Sequence, residues 1–226
     1  MIPKILHFVW VGDDAKRPTA CIQSWCDLNP DYEVRVWSNA DLERGGPWIN
    51  ADHMADMATR EWCGVADLMR YEILYHHGGV ALDADSLCIR PLEDWLLEPE
   101  VFTCWSNEIY HNQLLANGIL GATPEHPFIA KVIMDIHDRP SVIDDRAWKT
   151  TGNIPLTNAW RQSRYQVTVW PSHTFLPDFH SGPDYEGTGP VFARQLYGST
   201  RNGLANQSRD AYDDLNENGM KPLGAR

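Results

Sequence analysis

The sequence predicts an α/β domain: a mostly parallel sheet flanked by helices, with a ligand site beyond the carboxyl ends of its strands. Three observations carry that expectation. Residues 2–11 hold an apolar run (Ile2, Ile5, Leu6, Phe8, Val9, Trp10, Val11) that stops at Gly12-Asp13-Asp14, as a strand buried on both faces does. Strand-like and helix-like segments then alternate through the first half of the chain. Finally, residues 67–85 read as a helix, a two-glycine turn and a strand that ends in Asp83 and Asp85.

The remaining elements follow in order. Residues 18–28 carry helical periodicity, which Asn29-Pro30 stops, and 32–38 form a second strand. Asn39 to Leu42 opens a short helix that Gly45-Gly46-Pro47 breaks. Residues 51–77 are mostly helical, with Gly64 as the expected interruption, and the strand 80–83 runs into the carboxylate turn. Beyond Pro91 the expectation is short strands at 101–105 and 118–122, a helix from Pro127 to His137, a loop from 140, a helix beginning near Leu156, and a strand at 167–170 closed by Pro171. Glycine and proline dominate Ser181 to Pro190, which predicts an irregular surface segment. The organisation expected is one domain over 1–205 and a polar, partly disordered tail over 206–226.

Composition narrows the function classes. At 226 residues the chain supports a single domain with a sizeable core. A formal net charge of −12 argues against sequence-independent binding to nucleic acid and against docking on an anionic membrane through a basic face. Ten Trp and eight Tyr are many for this length, and aromatic faces suit sugar rings and nucleobases. The cysteines, Cys21, Cys26, Cys63, Cys88 and Cys104, are odd in number and contain no C-x-x-C pair, so reduced thiols in a cytoplasmic protein are expected. The N-terminus opens directly on a strand pattern without a signal peptide. No apolar run approaches the roughly 20 residues of a transmembrane helix, so work at a membrane would require peripheral recruitment.

The chemistry concentrates between 67 and 85. Asp67, Arg70 and Tyr71 stand at i, i+3 and i+4 and share one helix face, whereas Asp83 and Asp85, two apart on a strand end, point the same way. Two such carboxylates suit a hard divalent cation, which keeps positions open for phosphate oxygens. An Asp and an Arg on the preceding helix can grip sugar or ribose hydroxyls. The plainer alternatives are a solvated surface turn and an ordinary exposed ion pair of little energetic weight. Tyr71 reads as a packing residue.

The segment resembles the Asp-x-x-Arg … Gly-Gly-x-x-x-Asp-x-Asp signature of the DXD-motif sugar-binding glycosyltransferases. These are GT-A enzymes related to the yeast initiating mannosyltransferase, capsular polysaccharide transferases and the clostridial glucosylating toxins. Further blocks fall in the same order. Ile2-Pro3-Lys4-Ile5-Leu6-His7-Phe8-Val9-Trp10 is similar to the family's first strand, and Cys21 to Trp25 with Tyr32 to Trp37 to its next helix and strand. Asn117-Gly118 with Glu125-His126-Pro127, and Thr150-Thr151-Gly152 with Leu156-Thr157, match later blocks, so the likeness spans roughly 1–200.

The resemblance implies a GT-A (Rossmann-like) fold and a metal-dependent, retaining hexosyltransferase. Its donor would be a nucleotide-diphosphate sugar, with UDP-sugars favoured, and its acceptor a hydroxyl on a glycan, a lipid-linked sugar or a protein. It implies Asp85, Asp83 and Gln195 around the metal, and Asp83, Asp85 and Arg70 as the groups that carry catalysis. Donor contacts fall to Asp67, Arg70, Asp83, Asn117, Gly118, Thr151, Gly152 and Ser199, with Trp10 and His7 near the nucleobase. Three positions depart from the pattern: Ala81 stands where the family has Tyr, Gln195 where it has the His that completes the metal shell, and Thr200 where it has the closing Trp. Those departures motivate a rival reading, a nucleotide-sugar binding module without turnover. A second rival is an Asp-x-Asp phosphatase of the haloacid-dehalogenase type, with Asp144-Asp145 as its later acidic pair.

Overall fold

A computed structural model describes residues 1–44, 46, 48–178 and 184–197. Its elements in chain order are β1 (Ile5–Val9), α1 (Thr19–Leu28), β2 (Glu33–Trp37), α2 (Asn39–Glu43), α3 (Ala51–Ala58), α4 (Trp62–His77), β3 (Gly79–Leu82), β4 (Ser86–Cys88), β5 (Val101–Asn107), β6 (His111–Ala122), α5 (Pro127–His137), α6 (Ala147–Thr150), α7 (Asn153–Gln162), β7 (Thr168–Trp170) and β8 (Ala193–Gln195). The central sheet runs β2-β1-β3-β6-β5-β7. Three of its pairings are parallel, β1 with β2, β1 with β3 and β5 with β7, and the two around β6 are antiparallel.

Side-chain alternation divides the sheet between two cores. On one face Leu6, Phe8, Val80, Leu82, Phe102 and Cys104 pack with Ile22 and Trp25 of α1. On the other Val9, Ala81, Val101 and Leu120 pack against α4, α5 and α7 through residues such as Leu68, Tyr71, Phe128, Val132 and Leu156. Both faces of β1 and β3 are therefore buried, which is why their sequences read as apolar runs rather than as alternation.

The structure differs from the sequence expectation at several places. The helical stretch 51–77 is broken at Thr59–Glu61 and not at Gly64, which lies inside α4. A Cβ at Gly64 would stand 2.7 Å from Met57 Cε, so the glycine serves the close crossing of α3 and α4. β6 begins seven residues before the expected strand and forms a long hairpin with β5. α7 starts at Asn153, ahead of Leu156, and the short α6 precedes it. The ribbon of β4 and β8 was not anticipated at all. The tail 206–226 lies outside the described residues.

The turn that joins α4 to β3 needs glycine twice. Gly78 and Gly79 have φ of +61° and +95°, and a Cβ on Gly79 would lie 2.6 Å from the Ile5 carbonyl oxygen. The backbone of β3 thus approaches β1 more closely than any side chain permits. Gly79→Ala is expected to destabilise the fold by about 2 kcal/mol or more, the scale of left-handed backbone strain with a steric clash added. Urea unfolding of the two proteins measures this.

Candidate active site

The site is built where β3 ends. Beyond Leu82 the chain turns sharply: Asp83 N–H donates to the Gly118 carbonyl at 2.9 Å, and Ser86 N–H donates to the Asp83 carbonyl at 3.0 Å. This turn holds Asp83 and Asp85 at the carboxyl edge of the sheet. α4 presents Asp67 and Arg70, one turn apart, to the same place.

Arg70 is 3% exposed, and its guanidinium donates both to the Asn117 carbonyl and to Asp83 Oδ1. Asn117 also donates its side-chain amide to Asp67 Oδ1 at 2.6 Å. Thr151 brings its hydroxyl to 3.0 Å from Asp67 Oδ2 and to 3.0 Å from the Ala147 carbonyl. One hydroxyl proton satisfies only one of those acceptors. Removal from water pushes the Asp67 carboxyl up to about 7; Arg70 opposes that rise, the Asp83 charge adds to it, and hydrogen bonds from Thr151 and Asn117 oppose it.

Two glycines give the carboxylates their space. A Cβ at Gly118 would fall 2.5 Å from Asp83 Oδ2, and one at Gly152 3.0 Å from Asp67 Oδ2. Tyr71, buried as expected, donates its hydroxyl to the Gly152 carbonyl at 3.3 Å and ties the loop before α7 to α4. Asp67, Arg70, Asp83, Asp85, Asn117, Gly118, Thr151 and Gly152 are therefore one cluster drawn from four separate stretches of chain.

β8 supplies a further member. Gln195 pairs with Ser86 across the ribbon, is 7% exposed, and donates its amide to Asp85 Oδ1 and, at 3.3 Å, to Asp83 Oδ2. The two carboxylates and this amide converge on one point. A carboxamide offers its oxygen as readily as its nitrogen after half a turn, so the donor set fits a hard cation bound through oxygen. Among the described residues no group of three His, Cys, Asp or Glu side chains forms a metal site.

Other expected site residues lie elsewhere. His7 is fully buried between strands; its Nε2 is 2.9 Å from the Gly78 carbonyl, and Trp37 donates to its Nδ1 at 3.2 Å. Burial pushes its pKa down to about 4, so it is a neutral hydrogen-bonding core residue with no face open to a nucleobase. Trp10 is partly buried at the carboxyl end of the sheet and donates Nε1–H to the Asp13 carbonyl at 3.0 Å. Ala81, 1% exposed, fills core. Ser199 and Thr200 lie outside the described residues. Asp144 and Asp145, the later pair of a phosphatase, are instead held by Arg139 at 3.7 Å and Lys149 at 2.9 Å on the surface before α6.

Two residues at the same edge escaped the sequence reading. Asn39 clamps the loop after β1 by accepting from Gly12 N–H at 2.8 Å and donating to its carbonyl at 2.9 Å. Trp62, 44% exposed at the first position of α4, lies over Gly12, where a Cβ would meet its ring at 2.9 Å. Neither carries a sequence signal, since an isolated Asn and a helix-initial Trp acquire meaning only from what faces them. A cleft of about 380 Å³ lined by Trp37, Trp48, Ile73, His76 and His77 is at the other end of α4 and includes none of the cluster.

Residues 15–102 match the family model described as the glycosyltransferase sugar-binding region containing the DXD motif. Over that segment the chain is similar to the DXD-containing sugar-binding region of glycosyltransferases. Among curated proteins the chain is 30% identical over 140 residues to inositol phosphoceramide mannosyltransferase 3 of Schizosaccharomyces pombe, covering 60% of this chain and 37% of that protein. It is 27% identical over 133 residues to the uncharacterized glycosyltransferase L373 of Acanthamoeba polyphaga mimivirus, covering 56% and 52%. The chain thus spans about a fifth to a half of the length of the curated relatives it matches. Its fold is that of the GT-A glycosyltransferases. The galactosyltransferase LgtC, solved with donor and acceptor sugar analogs, superposes with a TM-score of 0.51 at 13% identity, over 97% of this chain and 98% of that one. The PaToxG glycosyltransferase superposes with a TM-score of 0.57 at 16% identity, over 71% and 69%.

The Asp67 network sets a testable pH dependence. Its carboxyl titrates near 7 in the fold against an ordinary 3.8, so the folded chain holds the extra proton between those values and stability from this group falls as pH rises from about 4 to 7. Asp67→Asn, which is neutral throughout, is therefore expected to gain in melting temperature relative to the parent between pH 5 and pH 8. Gly118→Ala is expected to displace the Asp83 carboxylate from Arg70 and lower the melting temperature while the circular dichroism spectrum is retained; differential scanning calorimetry reads the loss.

Proposed function

We propose that this DXD protein is a glycosyltransferase that moves a hexose from a nucleotide-diphosphate sugar to an acceptor hydroxyl with retention at the anomeric carbon. The observation that carries the reading is the Asp67–Arg70–Asp83 network, fixed by Asn117 and Thr151, at the carboxyl edge of β3 beside Asp85.

Each part has a physical task. Asp67 and Arg70 take donor-sugar hydroxyls: a carboxyl near neutrality both donates and accepts, and a guanidinium fixed by two acceptors points its remaining N–H groups without reorganising. Asp83 orients Arg70 and reaches the ribose. Trp10 stands where a nucleobase could lie against its face, with Trp62 nearby. Asp85, Asp83 and Gln195 would hold Mn²⁺ or Mg²⁺, which when bound stabilises negative charge on the departing nucleoside diphosphate. The residues themselves contribute mostly positioning and electrostatics, and none is assigned as a nucleophile.

UDP-sugars are the favoured donors. A lipid-linked acceptor draws support from the relatives named for inositol phosphoceramide. No helix among the described residues is long and apolar enough to cross a membrane, and peripheral recruitment is the route to such an acceptor that we propose. The five cysteines are unpaired, which supports work in a reducing compartment such as the cytoplasm.

Nucleoside diphosphate release from a panel of UDP- and GDP-linked sugars tests the reading. Cation-dependent release from one donor, abolished by chelator and by Asp85→Asn with the fold retained, is the expected result. Release by Asp85→Asn at the parent rate would overturn the assignment. Nucleotide binding without release from any donor, with or without candidate acceptors, would favour the binding-module alternative.

A further inference from the structure

Gln195, set against Asp83 and Asp85, bears on which cation the site takes. Three observations bear on it. First, a single buried amide spans both carboxylates, donating to Asp85 Oδ1 and, at 3.3 Å, to Asp83 Oδ2. Second, Asp83 Oδ1 is paired with Arg70, whose own position is fixed by the Asn117 carbonyl, so Asp83 has only Oδ2 to turn toward a cation. Third, among the described residues no His, Cys, Asp or Glu joins the pair as a third ligand.

We propose that Gln195 is an amide switch that serves the site in two states. Without a cation, its NH₂ group bridges the carboxylates and offsets their repulsion. With one, the terminal torsion, which is broad and nearly two-fold, turns by half a revolution and presents Oε1 as a neutral ligand. Among the described residues the protein side of the site is then entirely oxygen. Imidazole nitrogen favours transition metals over Mg²⁺, whereas carboxylate and carbonyl oxygens suit Mg²⁺ and Mn²⁺ alike. The site therefore accepts Mg²⁺ in place of Mn²⁺ with little discrimination. The inference rests on the reading of Asp83 and Asp85 as a cation site and deepens it.

The test uses the full chain and the cations alone. Mn²⁺ binding is followed by electron paramagnetic resonance of the free ion, and Mg²⁺ by its displacement of Mn²⁺. The parent is expected to bind Mn²⁺ and to release it to Mg²⁺ at comparable concentration. Gln195→Ala is expected to weaken both cations, and Gln195→His to raise Mn²⁺ affinity relative to Mg²⁺ by about tenfold, the scale of a single change around a metal. In ¹⁵N-labelled protein the Gln195 side-chain NH₂ resonance, assigned by its absence in Gln195→Ala, is expected to move on addition of diamagnetic Mg²⁺.

Circular dichroism confirms that each variant is folded before it is scored. Loss of binding in Asp85→Asn together with parent-like binding in Gln195→Ala would overturn the role of Gln195 alone. An unchanged Mn²⁺ to Mg²⁺ ratio in Gln195→His, or an NH₂ resonance that ignores Mg²⁺, would do the same. Equal binding by the parent and Asp85→Asn would remove the cation site, and this inference with it.

Discussion

Everything at the carboxyl edge of the sheet depends on one buried cation, the Arg70 guanidinium. It leaves α4, binds the Asn117 carbonyl on β6, and pairs with Asp83 beyond β3, so one side chain fixes a helix, a strand and a turn against one another. An arginine suits the task because its planar fork holds two acceptors at set angles and keeps its charge when buried. The charge is in turn tolerated because acidic groups surround it: Asp83 and Asp67 both act to keep the guanidinium ionised against the cost of burial. Asn117 completes the arrangement by facing both ways, with its carbonyl on Arg70 and its amide on Asp67.

This balance leaves the site short of positive charge. Asp67 and Asp83 stand beside a single guanidinium with Asp85 two residues further on, and Asp67, removed from water and next to the Asp83 charge, holds its proton to about 7. A diphosphate brought to such a place meets repulsion unless counter-charge accompanies it. The same acidity links the amide bridging Asp83 and Asp85 with the divalent cation in the proposed mechanism, and it adds to the rise of Asp67 that removal from water begins.

Much of the site was legible in the sequence because its members are close in the chain. Asp67 with Arg70, and Asp83 with Asp85, follow from helical and strand periods, and Gly78-Gly79 announces the turn between them. Gly118 and Gly152 were visible only as family blocks; their reason, the approach of a carboxylate to a position where no Cβ fits, is a fact of packing. His7 shows the opposite case. Its place in a matching strand pointed to the ligand, yet pleating turns it to the face where Gly78 and Trp37 take both ring nitrogens. Gly64 likewise looked like a break and proved to be a contact, since helix propensity is weak beside a close helix crossing.

The sequence by itself determined the class of fold, the order of the first strands and helices, and the identity of the acidic and basic groups at the strand end. Hydrophobic periodicity and turn chemistry are local, and local signals survive in one dimension. Tertiary structure alone decided which groups touch: that Thr151 and Asn117 flank Asp67, that Asn39 clamps Gly12, and that β8 returns more than a hundred residues later to set Gln195 against the carboxylates. Such contacts depend on the path of the chain between two points, and no period in the sequence encodes that path.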